Sequence, residues 1–477
     1  MKVSKIWLFA LIVFMSCGED PAIVEDSNTE ELTIFFVNDQ HGQLDNFAKI
    51  KHIIDQEKKE TNVLVACSGD IFSGNPVVDN HPQQGLPIID VMNQVGFDIS
   101  VLGNHEFDYG PEALKNRMNQ ANFDWVCANL NVSSSGIPQP PPYKTLEVGK
   151  LKITFLGLVE TNGKRGATIP LTHPWRVRDM IFDRPENVLN QYADLKEQED
   201  ADLLIALTHL GHTAGGGALG DFQLAQRFPY FDLIIGGHSN QLLNELINNI
   251  PVYQAGSHLR HLGKIKLTVR DKSVISRSYE LIDLASFQEI DNDLKAIIDN
   301  YNTSMPELDD IIGYSHQDHD RSEVGCFYTD AVRSHLKADI TFQNSGGIRS
   351  DLDEGEITRR EIFEIDPFNN GTINYTMSVD EIKNFLMGTG AGFYYSGVLL
   401  DQSGQNIVIS DLDGNELNGS DQLVVGINDY TPAIFDQFFP DEGITSSLTT
   451  AEAIISYLED TNDQVDYPEC TYFFRYQ

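Results

Sequence analysis

Short runs of apolar, often β-branched residues recur between residues 31 and 285, and this rhythm constrains the fold more than any other feature of the chain. The runs are LTIFFV, NVLVAC, DISVL, DWVCANL, LKITFLGLV, ADLLIAL, FDLIIGG, IPVYQAG and GKIKLTV. They are continuous rather than alternating, which is typical of strands buried on both faces. Helical patterns lie between them, for example at residues 44–60 and from Pro111 onward. The rhythm therefore predicts an α/β layered fold.

The rhythm stops near residue 285, which indicates a second structural unit. A chain of 477 residues is too long for one ordinary hydrophobic core, so two domains are expected. Residues 286–306 predict a connector helix that runs into a Pro-containing turn. Residues 307–477 predict a smaller mixed α/β region that is rich in Gly and Asn. We therefore expect one domain at residues 31–285 and a second at residues 307–477.

The first residues of the chain have the layout of an export signal. Two lysines precede the apolar stretch Ile6–Met15, which is too short to span a bilayer. The Ser-Cys pair that follows resembles the end of a bacterial lipoprotein signal, with cleavage before Cys17 and lipidation of its sulfur; a plain secretory signal with a chance cysteine is the alternative. We expect residues 1–17 to be the signal and residues 18–30 to be a polar tether. The mature protein would then be exported and lipid-anchored in the bacterial cell envelope, with the lipid on Cys17 as its only membrane contact.

The charge and the cysteines exclude some classes of function. The formal net charge is −38, which opposes binding of DNA or RNA polymers because those require a basic face. A small anionic substrate stays compatible with this charge, since bound metal ions reverse the local field. The cysteines after Cys17 lack the spacing of a cysteine metal site. Cys67 and Cys127 lie in apolar runs and predict buried core residues, whereas the sequence leaves a disulfide between Cys326 and Cys470 undecided.

Side chains that can bind metals follow several of the predicted strands. They lie in five segments, NDQHG, SGD, GNHEFD, THLGH and GGHSN, which begin at Asn38, Ser68, Gly103, Thr208 and Gly236. In α/β sheets, ligands bind beyond the carboxyl ends of the strands, so we expect the five segments to converge on one site. Carboxylate, imidazole and amide ligands suit Zn, Mn, Fe or Co. A carboxylate alone on its strand end, such as Asp70, can bridge two cations.

Ordinary structural roles compete with this interpretation at each position. A single strand-end histidine usually forms a structural hydrogen bond, and a single aspartate usually caps a helix. Repetition of the feature at five strand ends favours one shared site over separate structural roles. His212, His258 and His261 lack that support, and we expect them to be structural or to lie outside the set of ligands.

In this order the five segments resemble the calcineurin-like metallophosphoesterases and, more narrowly, the bacterial 5′-nucleotidase family, which includes UDP-sugar hydrolases and 2′,3′-cyclic-nucleotide phosphodiesterases. The resemblance implies a layered β-sandwich flanked by helices, followed by a smaller α+β substrate-binding domain. It also implies two divalent metal ions, with Asp70 between them. The implied ligands are Asp39, His41, Asp70, Asn104, His209, His238 and Asn240. Some relatives have Gln or His at the position of Asn240.

The same resemblance implies how the GNHEFD segment acts. His105 would lie near the phosphate and stabilise the transition state or donate a proton to the leaving group. Asp108, three residues further on, would hold the imidazole tautomer and favour the charged imidazole. Glu106 has a weaker claim to a role: it could support the ligands from behind, and an ordinary structural carboxylate is an equal alternative for it.

The second region resembles the substrate-binding domain of the same family. The segments FQNSGGIRSDLDEGEIT and DPFNNGT carry part of this resemblance, and the Asn-Asp-Tyr sequence at residues 428–430 carries the rest. The implied contacts to the nucleoside or its phosphate are Asn344, Arg349, Phe368, Tyr430 and Asp436. The chain departs from the family where Ile434 and Phe435 replace glycines, and Arg321 stands near an expected Glu. These departures leave the identity of the substrate open.

These features together predict an enzyme that hydrolyses nucleoside phosphates with two metal ions and activated water. A 2′,3′-cyclic-nucleotide phosphodiesterase or a UDP-sugar hydrolase would use the same site on another substrate. A catalytically weak surface lipoprotein that captures nucleotides is an alternative of a different class. Two domains joined by a connector further suggest that the substrate binds in the cleft and that the second domain moves.

Overall fold

The computed structural model describes residues 29–164, 166–213, 218–461 and 464–476. The predicted signal and nearly all of the predicted tether therefore lie outside the described residues. Within the described ranges, the structure contains no helix that is both long and apolar enough to cross a membrane.

The first part of the chain builds a layered β-sandwich. Its strands are β1 (Thr29–Val37), β2 (Asn62–Cys67), β3 (Ile99–Val101), β4 (Asp124–Val126), β5 (Leu130–Asn131), β6 (Tyr143–Val148), β7 (Leu151–Val159), β8 (Ile181–Phe182), β9 (Leu203–His209), β10 (Leu233–Ile235), β11 (Leu242–Ile247), β12 (Ile250–Ala255), β13 (His261–Arg270) and β14 (Ser273–Asp283). One six-stranded sheet has the order β14-β13-β1-β2-β3-β4, and a second has the order β11-β12-β10-β9-β7-β6. The short strands β5 and β8 pair separately.

The central strands of both sheets are parallel, and the outer strands are antiparallel. Strands β1 to β4 run parallel, and so do β7, β9, β10 and β12. Antiparallel strands β13 and β14 extend the first sheet, while β6 and β11 close the edges of the second. A shared core that includes Phe36, Phe155 and Ile205 joins the two inner faces. The expected sandwich is therefore confirmed.

Helices cover the outer faces of the two sheets. They are α1 (Phe47–Glu57), α2 (Pro76–Asp79), α3 (Leu86–Val95), α4 (Gly110–Gln120), α5 (Pro185–Val188), α6 (Leu195–Gln198), α7 (Asp221–Arg227) and α8 (Asn292–Asn302). Helices α1, α3 and α8 pack on the first sheet, and α6 and α7 pack on the second. Because α8 buries Leu294 and Ile298 in the core beneath the first sheet, the predicted connector is packed against the sandwich. The boundaries at residues 285 and 307 stay predictions.

The second part of the chain is a smaller mixed α/β unit, as expected. Its strands are β15 (Ile311–Ser315), β16 (Ile340–Asn344), β17 (Gly355–Thr358), β18 (Gly371–Ser378), β19 (Gly392–Ser396), β20 (Leu399–Ser403), β21 (Asn406–Ser410), β22 (Gln422–Asn428), β23 (Ile444–Thr449), β24 (Gln464–Val465) and β25 (Phe473–Arg475). Its helices are α9 (Arg321–Leu336), α10 (Arg359–Ile365), α11 (Val379–Thr389), α12 (Tyr430–Ile434) and α13 (Thr450–Thr461). The main sheet has the order β23-β18-β22-β16-β19-β25, with separate cores on its two faces.

A disulfide ties the last segment of the chain to this second part. Cys326 in α9 is bonded to Cys470, which precedes β25. The bond that the sequence left undecided is therefore present in the structure. Cys67 and Cys127 are free and buried, which confirms their predicted place in the core.

Candidate active site

The five polar segments meet at the carboxyl ends of the central strands of both sheets. They follow β1, β2, β3 and β10 and include the last residues of β9. Ligand-capable atoms of His41, Asp70 and His105 lie within 4.8 Å of one another, and so do those of Asp70, His209 and His238. Asp70 belongs to both groups, which is the arrangement expected of a carboxylate between two cations. The predicted convergence of the strand ends is therefore present in the structure.

Several of the predicted ligands adopt a backbone conformation that L-amino acids rarely use. The φ angles of Asp39, His41, Asp70, His238 and Asn240 lie between 50° and 76°. Such left-handed conformations cost free energy in residues other than glycine, and they persist only where the surroundings impose them. Here the loops after β1 and β2 brace each other, since the His41 backbone N–H donates to the Asp70 carbonyl at 3.1 Å. This clustered strain supports a functional site at these loops.

Two buried imidazoles are arranged as metal ligands. The Nδ1 of His41 lies 3.1 Å from the Ser73 carbonyl, and the Nδ1 of His209 lies 2.6 Å from the Ser68 carbonyl. Because a carbonyl only accepts, each Nδ1 carries a proton, which leaves Nε2 as the atom that could bind a cation. The His41 Nε2 is buried without a hydrogen-bond partner, and the buried His209 Nε2 lies 3.0 Å from an Asp70 oxygen. Such imidazole nitrogens beside carboxylates fit a metal ion, and the two carbonyls would fix the orientation of the rings.

The remaining predicted ligands differ in how firmly they are held. The Asp39 carboxylate accepts hydrogen bonds from Asn38 at 2.6 Å and from the His238 backbone N–H at 3.0 Å. The Asn104 amide donates to the Leu171 carbonyl at 3.1 Å, so its oxygen faces His238 at 2.9 Å. Asn240 is exposed, and its amide donates to the His238 carbonyl at 3.3 Å. The ligand role of Asn240 therefore has the weakest structural support of the set.

Burial makes the charges of this cluster depend on one another. Burial raises the pKa of Asp39 to about 7. Burial acts in the same direction on Asp70, but His209 and His105 hold its pKa well below the ordinary value. Burial alone would lower the pKa of His209, yet Asp70 and Asp39 raise it to about 10. The buried carboxylates thus require positive charge among them, and a divalent cation supplies that charge with its ligands deprotonated.

His105 and Asp108 form a buried pair beside the metal cluster. The His105 Nδ1 lies 2.6 Å from one oxygen of Asp108, which also accepts from the Ser73 hydroxyl at 2.7 Å. Against the effect of burial, Asp70 and Asp108 raise the pKa of His105. The His105 Nε2 lies 3.9 Å from Asp70, so it faces the metal cluster. This geometry suits an imidazolium whose free N–H points to the reacting atoms.

Glu106 holds the two loops that carry Asp70 and Asn104, a role that the sequence left unassigned. Its side chain is fully buried, and its carboxylate accepts from the backbone N–H groups of Asp70 at 3.1 Å, Ile71 at 2.6 Å and Gly103. Burial, followed by the charge of Asp70, raises the pKa of Glu106 to about 7. The Glu106 carboxylate thus fixes the backbone of the Asp70 loop and of the Gly103 loop relative to each other. Sequence spacing alone gives no signal for such a contact, because Glu106 acts on main-chain atoms.

We expect Glu106→Gln to weaken metal binding about 10- to 100-fold, since supporting groups behind the ligands commonly contribute that much. The amide keeps the shape of the side chain but loses the charge and one acceptor that hold the Asp70 loop. Titration of metal-free protein with Mn, followed by phosphate release, measures the change. The matched control is Glu112→Gln in α4, where the side chain is exposed. Equal metal affinity in both variants would contradict the role of Glu106.

A cavity of about 200 Å³ adjoins the His105–Asp108 pair and is lined by both parts of the chain. The lining residues are His105, Asp108, Leu171, Thr172, His173, Arg176, Asn344, Gly346, Gly347, Arg349, Phe368, Asn370 and Tyr430. The substrate-binding predictions Asn344, Arg349, Phe368 and Tyr430 thus reach the cavity. Asp436 does not line it, and its exposed carboxylate instead lies 3.1 Å from the Lys164 ammonium. The expected substrate contact of Asp436 therefore lacks structural support.

Aromatic and cationic side chains cover the cavity beside the His105–Asp108 pair. The Phe368 ring is stacked 5.9 Å from the His105 ring, with 22° between the two planes. The Arg349 guanidinium lies 5.6 Å from the Phe368 centroid, and burial lowers its pKa. The oxygen of the Asn344 amide accepts from Asn428 at 3.0 Å, which fixes the orientation of the amide. The cavity therefore combines an apolar plane with donors for phosphate or sugar oxygens.

Residues 171–176 supply cavity-lining side chains that sequence reasoning missed. His173 is buried, its Nε2 lies 3.3 Å from Asp429, and its ring lies 6.0 Å from the Tyr430 ring. Arg176 contacts both Asp108 and the Phe368 carbonyl. The segment has no apolar periodicity, and its partners lie far away in sequence, so only its THPWR cluster of polar and aromatic residues could have drawn attention.

Of the histidines that were predicted to lie outside the ligand set, His258 lies close to the site. The ring of His258 lies 5.0 Å from the His41 ring, and its backbone N–H donates to the Asp39 carbonyl at 2.8 Å. His212 instead packs against Phe222 of helix α7. His258 thus supports the Asp39 loop through its backbone, in keeping with a role outside the ligand set.

Comparison with known proteins agrees with the fold and the site. The family model described as calcineurin-like phosphoesterase matches residues 32–242, and the model described as 5′-nucleotidase, C-terminal domain, matches residues 306–438. The solved structure of a 5′-nucleotidase precursor from Thermus thermophilus is similar with a TM-score of 0.79 and 20% sequence identity, covering 92% of this chain and 98% of that one. The fold and the strand-end site thus define a metallophosphoesterase of the calcineurin-like class. Within that class, the chain belongs to the 5′-nucleotidase family.

Curated relatives point to the same family. The 5′-nucleotidase of Vibrio cholerae serotype O1 is 27% identical over 83% of this chain and 82% of the relative. The trifunctional nucleotide phosphoesterase protein of Bacillus subtilis is 27% identical over 86% of this chain. That relative is much longer, so this chain spans only 33% of its length.

Proposed function

We propose that the protein hydrolyses nucleoside phosphates and releases inorganic phosphate in a 5′-nucleotidase-type reaction. The observation that carries the proposal is the shared cleft, in which buried imidazoles and carboxylates lie beside the His105–Asp108 pair and an aromatic cavity. The similarity to proteins named 5′-nucleotidase supports it. The intact acid pair opposes the alternative of a lipoprotein that only captures nucleotides.

The residues proposed to hold two divalent ions are those of the sequence prediction, with Asp70 shared between the ions. They are Asp39, His41, Asp70, Asn104, His209, His238 and, with less support, Asn240. The mixture of carboxylate, imidazole and amide ligands suits Zn, Mn, Fe or Co. When bound, such ions supply positive charge to phosphate oxygens and lower the pKa of water.

The protein's own side chains divide the remaining work. His105 donates a proton from Nε2 to the leaving oxygen, while Asp108 holds the proton on Nδ1 and stabilises the imidazolium. Arg349 neutralises phosphate charge from the opposite side of the cleft, where its fork matches two oxygens. Phe368 and Tyr430 offer ring faces to the nucleobase, at about 1–3 kcal/mol per stacked base. Because both parts of the chain line the cavity, we propose that the second part moves to admit the substrate.

A substrate panel tests the proposal. Residues 18–477 are purified, loaded with Mn or Zn, and assayed with AMP, UDP-glucose and 2′,3′-cyclic AMP. We expect the highest kcat/KM for AMP, because a terminal phosphate leaves the base free to reach the aromatic cavity. Preference for UDP-glucose or for the cyclic nucleotide would replace the proposed substrate while keeping the site. No turnover of any of the three by metal-loaded protein would contradict an enzymatic function.

We also propose that the protein is exported and anchored through a lipid on Cys17. The charged and apolar layout of residues 1–17 supports this location. The Cys326–Cys470 disulfide independently supports the export, though not the lipid anchor, because such bonds persist in oxidising compartments outside the cytoplasm.

A further inference from the structure

One buried carboxylate holds two points of the loop between β7 and β8. Glu160, which follows β7, accepts hydrogen bonds from the backbone N–H groups of Asn162 and, at 2.5 Å, of Leu171. Its side chain is almost fully buried, and burial raises its pKa to about 7. The Leu171 carbonyl in turn orients Asn104. The segment that follows Leu171 therefore leaves the sandwich at a defined position.

This segment reaches the catalytic pair from one side. The Thr172 hydroxyl donates to Asp108 Oδ1 at 2.9 Å, and Arg176 Nη1 lies 3.7 Å from the same oxygen. The other oxygen of Asp108 is occupied by Ser73 and His105. Arg176 thus adds positive charge beside a carboxylate that already has three hydrogen-bond partners, and together with His105 this charge lowers the pKa of Asp108.

The same arginine reaches the second part of the chain. Arg176 Nη2 donates to the Phe368 carbonyl at 2.7 Å. The Phe368 backbone N–H lies 3.4 Å from Asp366, a buried carboxylate that accepts from the Tyr328 hydroxyl at 2.6 Å and from the Thr450 hydroxyl. The backbone of Phe368 is therefore held from its own unit through Asp366 and from the sandwich through Arg176.

We propose that Arg176 is a positioning residue that keeps the aromatic wall at Phe368 in register with the His105–Asp108 pair. One guanidinium contacts both elements, and the Phe368 ring lies 5.9 Å from His105, so a shift of the wall changes the space beside the imidazole. The guanidinium fork suits this task, because its separate N–H groups can address two acceptors at once. The inference rests on the proposed function, since it concerns the placement of a nucleoside leaving group.

Arg178 provides a matched control two residues further along the same segment. Its side chain is 76% exposed and pairs with the neighbouring Asp179, whereas the Arg176 side chain is 18% exposed. Methionine replaces the stem of either arginine at similar length and removes the charge. A loss that appears in Arg176→Met but not in Arg178→Met is therefore specific to the two contacts of Arg176.

The test compares two substrates that differ in their leaving groups. AMP needs both the aromatic wall and protonation of its leaving oxygen, whereas 4-nitrophenyl phosphate departs without protonation and carries no nucleobase. We expect Arg176→Met to lower kcat/KM for AMP about 10- to 100-fold, the effect of a lost charge-assisted hydrogen bond. Turnover of 4-nitrophenyl phosphate is expected to stay close to wild type, and Arg176→Lys to retain more AMP turnover than Arg176→Met. An equal loss on both substrates would overturn the proposal, as would no loss on AMP.

A double-variant cycle checks that Arg176 acts through Phe368. If the arginine positions the wall, Arg176→Met adds little further loss once Phe368→Leu has removed the ring. Multiplicative losses in the double variant would overturn the proposal. Wild-type protein inactive on both substrates would instead contradict the proposed function, so the two failures are distinguishable.

Discussion

Asp70→Asn is expected to lower kcat for AMP hydrolysis about 1,000-fold or more and to reduce the bound metal. The carboxylate belongs to both ligand groups, with its Oδ2 3.0 Å from the His209 Nε2 and its Oδ1 accepting from the His105 backbone N–H at 2.9 Å. The amide keeps the size of the side chain but removes the charge that two cations would share. Loss of several kcal/mol of charge stabilisation corresponds to a rate factor of this order. Phosphate release with Mn or Zn, together with elemental analysis of the purified protein, measures both effects.

The control for this substitution is Asp124→Asn at the start of β4. That carboxylate is 40% exposed and pairs with Lys144, so the same chemical change should leave metal content and activity at the wild-type level. The Asp70→Asn variant loses a repulsion with Asp39 but also the charge that pairs with His209, so its fold has to be measured together with its activity. Circular dichroism checks the fold. A folded variant with two metal equivalents and wild-type turnover would show that Asp70 is not the shared ligand.

The central strands were predictable because burial on both faces leaves a continuous apolar run. Strands β2 and β7 have the bounds of NVLVAC and LKITFLGLV. The antiparallel strands β6, β11 and β14 escaped this criterion because none of their residues is fully buried and they mix polar with apolar residues. Strand β13 was found, but its burial alternates along most of its length, so the expectation of burial on both faces is wrong for it. Hairpin pairing with a neighbour in sequence, rather than burial, defines these outer strands.

The convergence of the site was predictable for a topological reason. Parallel strands place their carboxyl ends on one edge, so Asp39, Asp70 and Asn104 follow neighbouring strands to the same place. No such rule covers Glu106, which acts on backbone N–H groups, or Arg176, which joins parts of the chain 192 residues apart. Contacts of this kind depend on how loops and domains pack. The sequence pattern therefore predicted which strand-end side chains come together but missed the groups that position them.

His105→Ala is expected to lower kcat for AMP about 100- to 10,000-fold while leaving the bound metal unchanged. Removal of a positioned general acid commonly costs that much. Metal content distinguishes a proton donor from a metal ligand. This measurement is needed because the ligand-capable atoms of His105, His41 and Asp70 lie within 4.8 Å of one another. If His105 protonates the leaving oxygen, the loss should shrink for 4-nitrophenyl phosphate, whose leaving group needs no proton. If it were instead a ligand, metal would be lost and both substrates would suffer equally.

The partner residue and a distant histidine complete this test. Asp108→Asn should reduce kcat for AMP without changing metal content, because the carboxylate contacts the His105 Nδ1 and none of the residues proposed to hold the ions. His81→Ala is the control, since that imidazole contacts Gln83 and the Tyr301 ring, away from the site. An Asp108→Asn variant with wild-type kcat would mean that the imidazole keeps its tautomer and charge through Asp70 alone. Because Asp70 and Asp108 both raise the pKa of His105, this variant separates the effect of Asp108 from that of Asp70.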